Sequence, residues 1–262
     1  LAAAPKDAKL ALLPGFTAPL PEPAVAKGPT SRPTTPAAGQ GAVAANAGPS
    51  ITGKVLFVGV PPPRKPMPIG AVPQCANHPA LGGKPLLDET LVVGKGGELK
   101  NAVVSIKNVP PGRHPIPAQP AVLDQVACHY SPHILAMMTG QPLVIKNSDP
   151  FLHNVHGLPE LNLGFNFAQN NVDPGRPVPP MTQAEEFRVK CDVHGWMNCH
   201  FVVFNHPFFA VTGDDGTYTI SGLPPGTYTV TVWHEIETLR SEQQVTVPAG
   251  KPAEANFSVK ME

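Results

Sequence analysis

The stretch CDVHGWM, residues 191–197, places Cys191, His194 and Met197 three residues apart. A thiolate, an imidazole and a thioether in one short segment suggest a loop that wraps a soft metal ion. Thiolate and thioether donors select copper, and imidazole serves copper as well. A helix would also align residues at this spacing. However, Gly195 interrupts the stretch, and EFRVKC before it and CHFVVFN after it have the residue alternation of strands. A tight loop between two strands is therefore expected. One more nitrogen donor must come from elsewhere, and FLHNVHG, residues 151–157, offers two. His153 is preferred because it stands where the apolar run QPLVIKNSD gives way to a bend. His156 is left as the alternative ligand or as an exposed imidazole. The competing reading is that these are ordinary core and surface residues, and the pairing of two separated motifs weighs against it.

The elements that must position these residues read as β. The chain has 262 residues with 35 prolines and 24 glycines, too many for a helical protein. Short apolar runs between turn signals mark strands at ITGKVLFVG, KNAVVSIKNV, HILAMM and QPLVIKNSD. The last two read as consecutive strands around Thr139 and Gly140. Residues 66–98 look irregular apart from LLDETLVV, and the Asn- and Pro-rich run from Gly157 to Glu185 reads as a long connection. From 207 onward the rhythm changes. GTYTISGLPPGTYTVTVW alternates cleanly between turns, which predicts a small antiparallel unit with Tyr218, Ile220, Tyr228, Val230 and Val232 facing inward. Residues 1–49 are rich in Ala and Pro and read as an extended tether, or as an arm ordered by a partner through Leu10, Leu12, Leu13 and Phe16.

KNSDPFLHNVH followed by CDVHGWM resembles the cupredoxins, the family of plastocyanin, azurin and amicyanin. The resemblance covers roughly residues 121–206 and implies a Greek-key β-sandwich holding one type 1 copper ion. By that match His153 and His194 are the imidazole ligands, Cys191 the thiolate and Met197 the axial thioether. Asn154 braces the ligand loop by hydrogen bonds, and Trp196 makes the surroundings apolar. The short ligand loop is similar to that of amicyanin. The tail resembles the carboxypeptidase regulatory-like domain, whose usual opening strand is similar to ITGKVLFVG far upstream. The expected organisation is an arm (1–49), a copper domain with an N-terminal extension (50–206) and a small β-sandwich (207–262). The last is either self-contained or completed by strands from 50–110.

Cys75 and Cys128 have three readings: a disulfide, two free thiols, or a zinc site with His78 and His129. The disulfide is preferred, and with it an oxidising compartment. Cys199 reads as a buried, inert thiol. His133, His206 and His234 read as structural hydrogen-bond formers, with Trp233 and Glu235 hinting at a polar contact between domains. Basic and acidic residues balance at 19 each, which gives no global pull toward nucleic acid. No apolar run is long enough for a membrane span. The chain lacks a basic-then-apolar leader and reads as a mature product. No nucleophile elbow, phosphate loop or HExxH motif occurs, so no enzyme is expected. The implied function is single-electron transfer with a redox protein or larger complex, periplasmic or extracellular in a bacterium. A structural subunit gripping its neighbours through residues 1–49, and copper storage or delivery, are the alternatives.

Overall fold

The computed structural model describes residues 49–110 and 112–261. The expected tether over 1–49 lies, apart from Pro49, outside the described residues. The strands in chain order are β1 (Ser50–Phe57), β2 (Val103–Ile106), β3 (Ala121–Val126), β4 (His129–Ser131), β5 (Ile134–Met138), β6 (Leu143–Asn147), β7 (His153–Gly157), β8 (Phe165–Gln169) and β9 (Asp173–Val178). They continue with β10 (Glu186–Lys190), β11 (Asn198–Phe204), β12 (Phe209–Val211), β13 (Thr217–Ser221), β14 (Gly226–Trp233), β15 (Ser241–Val247), β16 (Ala253–Glu254) and β17 (Phe257–Val259). Three short helical turns, Ile69–Ala71, Pro73–Ala76 and Pro79–Leu81, complete the regular structure of the described residues. The protein is mostly β, and none of its described helices is long and apolar enough to cross a membrane.

Two sandwiches share one strand-to-sheet logic: alternate residues turn inward onto a common core. In the first, the sheet β5-β11-β10-β7-β8 and the sheet β4-β3-β6-β9 enclose Leu123, Leu135, Met137, Ile145, Val155, Phe201 and their neighbours. In the second, β1 with β13, β16 and β17 covers β12-β2-β14-β15 around Ile51, Val55, Val104, Tyr218, Tyr228 and Val230. Ile220 and Val232, also expected to face inward, lie in the same core. Strands β1 and β2, from the first half of the chain, thus lie in the sheets of the tail. Two pairings of this unit, β1 with β16 and β1 with β17, are parallel.

Every residue of β5 is buried. Leu135 and Met137 fill the first core, while Ile134, Ala136 and Met138 meet Val103, Phe209 and Val211 of the second sandwich. A strand covered on both faces reads as an unbroken apolar run, which is why HILAMM shows no alternation.

The two consecutive strands expected around Thr139 and Gly140 are β5 and β6; they do not pair with each other, for β5 runs parallel to β11 and β6 parallel to β3, in opposite sheets. Two sequence expectations are corrected. LLDETLVV is not a strand and makes only single bridges, through Leu87 and Val93. The connection from 157 to 185 contains β8 and β9. Pro174 and Pro177 are tolerated in β9 because it is a sheet edge, where the missing N–H leaves no ladder bond unmade. Arg176 of β9 lies 4.0 Å over the Phe167 ring of β8, joining the two edges.

A buried ion pair ties the sandwiches together. His133, before β5, bonds through Nε2 to Glu235, just past β14; the two side chains are 5% and 7% exposed. His200 stands 3.5 Å from the other carboxylate oxygen. His234 does not share in this contact; its Nδ1 accepts the N–H of Ile236.

Two outcomes are expected. A Cβ on Gly53 would lie 1.8 Å from the carbonyl oxygen of Ala255, where β1 passes from β16 to β17. Gly53→Ala should therefore cost about 3 kcal/mol of stability, read from the urea midpoint. Burial works against charging His133, but the hydrogen bond and charge of Glu235, with Glu89 and Asp88 behind it, hold it above the usual imidazole range. That contribution is complete below the unfolded histidine value of about 6.5 and is lost as pH rises through the raised folded value. Glu235→Gln should be most destabilised relative to the parent near pH 5, with the gap narrowing as pH increases.

Candidate metal centre

Register places the candidate ligands. Strand β10 pairs on one side with β11 and on the other with β7, with Lys190 opposite His156. The antiparallel run brings the start of β7 beside the loop that follows β10. His153 opens β7, and Cys191 opens the loop. The loop is closed by three contacts: Cys191 N–H to the Met197 carbonyl (3.1 Å), Met197 N–H to the His194 carbonyl (2.9 Å), and His194 N–H to the Cys191 sulfur (3.2 Å).

Nitrogen or sulfur atoms of His153, Cys191 and His194 all fall within 4.8 Å of one another. The two Nδ1 atoms are 2.9 Å apart, and the Cys191 sulfur is 3.9 Å from that of His194. All three side chains are buried, as is Met197 in the same core as Cys191. Asn154 holds the loop from β7: its Oδ1 accepts the Asp192 N–H at 3.0 Å, and its Nδ2 donates to Asn166 and the Phe167 carbonyl. Trp196 donates its indole N–H to the Cys128 carbonyl at 3.0 Å, and its ring stands 5.1 Å from that of His194.

The donor set fits a soft cation. The outer nitrogen of His153, Nε2, donates to Asp149 at 2.7 Å, which leaves a lone pair on Nδ1. Two imidazole nitrogens facing each other at 2.9 Å need either a shared proton or a cation between them, and the adjacent sulfur favours a soft one. Local electrostatics agree. Burial raises the Cys191 thiol, but hydrogen bonding to His153 and to nearby backbone amides outweighs it and leaves the thiol below its ordinary value. Burial and the neighbouring charge of His153 push His194 below the usual imidazole range. Burial also opposes charge on His153, yet Asp149 and Cys191 lift it above that range.

Asp149 was not singled out in the sequence, and it organises the site. Its carboxylate is essentially unexposed and accepts the N–H groups of Ala127 (2.7 Å) and Cys128 (2.9 Å) as well as that of His153. Ala127 and Cys128 form the two-residue turn between β3 and β4, both with positive φ (51° and 59°). That turn ordinarily takes Asn-Gly; here the two amide bonds to Asp149 support it. Asp149 is itself placed by Asn147, whose Oδ1 accepts its N–H and whose Nδ2 donates to the carbonyls of Phe151, Gln169 and Asn171. The available signal was position: a carboxylate four residues before His153 at a strand end.

Cys75 and Cys128 are joined as a disulfide, which removes the zinc and free-thiol readings. Cys128, Asp149 and His153 also cluster, but the Cys128 sulfur is committed to that bridge. His156 does not join the ligands; its Nδ1 pairs with Asp192 at 2.9 Å. Cys199 is fully buried, and burial drives its thiol well above the ordinary value.

The chain resembles several known proteins in part. Residues 203–260 match the family model of the carboxypeptidase regulatory-like domain, from within β11 through β17. Similar solved structures include a purple cupredoxin from Nitrosopumilus maritimus, at 20% identity over 32% of this chain and 99% of that one, with a TM-score of 0.28. Amicyanin from Paracoccus versutus is 15% identical over 38% of this chain and 97% of its own, with a TM-score of 0.27. The copper-containing nitrite reductase of Thermus scotoductus is 18% identical over 37% of this chain and 25% of its own, with a TM-score of 0.29. No curated protein matches the chain.

Burial raises Asp149, but its hydrogen bonds from His153, Cys128 and Ala127 outweigh that and leave it below the usual carboxylate value. Its contribution to stability is present above the unfolded aspartate value of about 3.9 and is lost as pH falls through the folded value. Asp149→Asn should lower stability at pH 7 by about 3–5 kcal/mol, the cost of breaking a buried charge network. The gap to the parent should close in acid, followed by urea unfolding across pH.

Proposed function

We propose that this protein is a mononuclear copper protein of the cupredoxin kind that exchanges single electrons with a protein partner. The observation that carries the reading is the facing pair of Nδ1 atoms at 2.9 Å beside the Cys191 sulfur, with the outer nitrogen of His153 already tied to a carboxylate. His153, Cys191 and His194 would hold the ion, with Met197 as the fourth, weaker donor. Bound there, copper supplies one-electron exchange between its two oxidation states.

The protein's own residues set the conditions for that exchange. Both imidazoles are fixed from outside the site, His153 by Asp149 and the ligand loop by Asn154, so the donors keep their places when the charge changes. Trp196 packs on the core that holds Cys191, and the Phe151 ring stands 5.2 Å from that of His153, so apolar groups flank the donors. Four protein donors leave no open position for a substrate, which argues for electron transfer over catalysis. Burial of His153, Cys191 and His194 also argues against storage or delivery, which needs an exchangeable ion. Leu152 and Val193, 39% and 50% exposed next to His153 and His194, give a redox partner an apolar rim to meet. The disulfide supports an oxidising compartment, the periplasm or the cell exterior. A grip on a larger complex through residues 1–49 is part of the same proposal and rests on their composition alone.

Adding Cu(II) to the metal-free protein should give one copper per chain and an intense visible band from thiolate-to-metal charge transfer. Cys191→Ala should abolish the band and most of the binding. A colourless, copper-free protein at full metal supply would leave a structural scaffold as the reading.

A further inference from the structure

The segment 61–98 contributes no strand to either sandwich, yet it reaches the candidate metal centre. Its helical turn Pro73–Ala76 carries Cys75, which is bonded to Cys128 in the turn that holds Asp149. Around that bridge Ile69, Leu86, Met67, Val72 and Leu81 pack with Phe151 and Trp196. Three residues past Cys75 stands His78. Its Nδ1 accepts the N–H of Ala80 at 3.2 Å, so its proton sits on Nε2. That Nε2 lies 3.1 Å from Asp149 Oδ1, and the side chain is 13% exposed. The same carboxylate therefore faces two imidazoles, one of the candidate centre through a hydrogen bond and one of the extension through this close contact. Its remaining two hydrogen bonds come from fixed backbone amides.

We propose that His78 is a positioning residue of the metal centre. With its Nε2–H held 3.1 Å from Asp149 it offsets part of the negative charge that the carboxylate would otherwise press onto His153. The 61–98 extension then sets the metal's preference between Cu(I) and Cu(II). This inference rests on the copper reading above. The physics is short. A carboxylate bonded to the outer N–H of a ligating imidazole makes that imidazole a stronger donor. A stronger donor favours the more highly charged ion. A second N–H on the same carboxylate weakens the effect, and removing it restores the full charge. The disulfide and the apolar packing hold His78 within reach of Asp149, so the tuning is built into the fold.

Three substitutions, with a fourth in reserve, test this with two readouts. His78→Phe keeps a ring against Phe151 but has no N–H to donate; His78→Ala serves if Phe does not fold. His78→Gln keeps a donor, and Asp149→Asn removes the charge. In the metal-free protein, the His153 Nε2–H proton resonance should move downfield in His78→Phe and stay near the parent position in His78→Gln. In the copper-loaded protein, His78→Phe should lower the reduction potential, with a roughly tenfold stronger preference for Cu(II). Asp149→Asn should raise it. An unchanged His153 resonance in His78→Phe, an unchanged potential, or equal shifts in the Phe and Gln variants would overturn the proposal. Failure of the parent to take up copper sinks the copper reading instead, and the proton resonance still decides whether His78 acts on His153.

Discussion

A carboxylate shut off from solvent must find its hydrogen bonds in the protein, and Asp149 finds three, with the His78 imidazole 3.1 Å away as a fourth polar contact. An unpaired charge at that depth would cost several kcal/mol. The surrounding chain is therefore arranged so that N–H groups of four residues reach one point: one at a strand end, two in a hairpin turn, and one between two helical turns some seventy residues upstream. Three consequences follow from that single demand. His153 is held in one tautomer, with Nδ1 turned to Cys191 and His194. The hairpin at Ala127 and Cys128 is held in a conformation its residues would not choose. The extension is brought to the metal end of the sandwich. Around a neutral residue at 149 none of these would be required.

The weave of the chain adds a second constraint. Strand β1 and strand β2 are made before the metal-loop sandwich and are completed by β12 to β17 after it. The metal sandwich therefore sits as an insertion whose two ends are both fixed in the other unit. Its sheet β5-β11 lends a full face to that unit through Ile134, Ala136, Met138 and Val202, and the His133–Glu235 pair crosses the same seam. Motion of one sandwich on the other would expose that apolar face and break a buried ion pair. The candidate metal centre thus rests on a base braced from both sides.

How far the sequence discloses this depends on the kind of signal each part leaves. Period-two alternation is a local property, so Tyr218, Ile220, Tyr228, Val230 and Val232 could be read as one buried face, and they are buried together. Donor chemistry is also local, so His153, Cys191 and His194 could be read as a group. Edge strands leave a weak signal, because an edge tolerates Pro and Asn; β8 and β9 were hidden for that reason. Pairing between distant strands leaves none: nothing in HILAMMTGQPLVIKN says that its two halves enter opposite sheets. Asp149 was missed because importance there is a count of acceptor bonds. The partners lie at 78, 127, 128 and 153, and only the fold brings them to one place. His78 was weighed as a zinc ligand for its spacing from Cys75, whereas its ring serves the carboxylate.

The turn at Ala127 and Cys128 shows why these parts act as one unit. Two consecutive non-glycine residues with positive φ cost roughly 1–2 kcal/mol each. Glycine would relieve the cost at 127, but at 128 it would forfeit the bridge to Cys75. The conformation persists because it points both amide N–H groups at Asp149 and the Cys128 carbonyl at Trp196. The same three residues, Ala127, Cys128 and Asp149, thereby fix the first imidazole, the indole beside the second, and the anchor of the extension. Contacts that share partners in this way are not additive. Loss of the bridge, the turn or the carboxylate should each loosen the same structure, so any pair of such changes costs less than the sum of its parts.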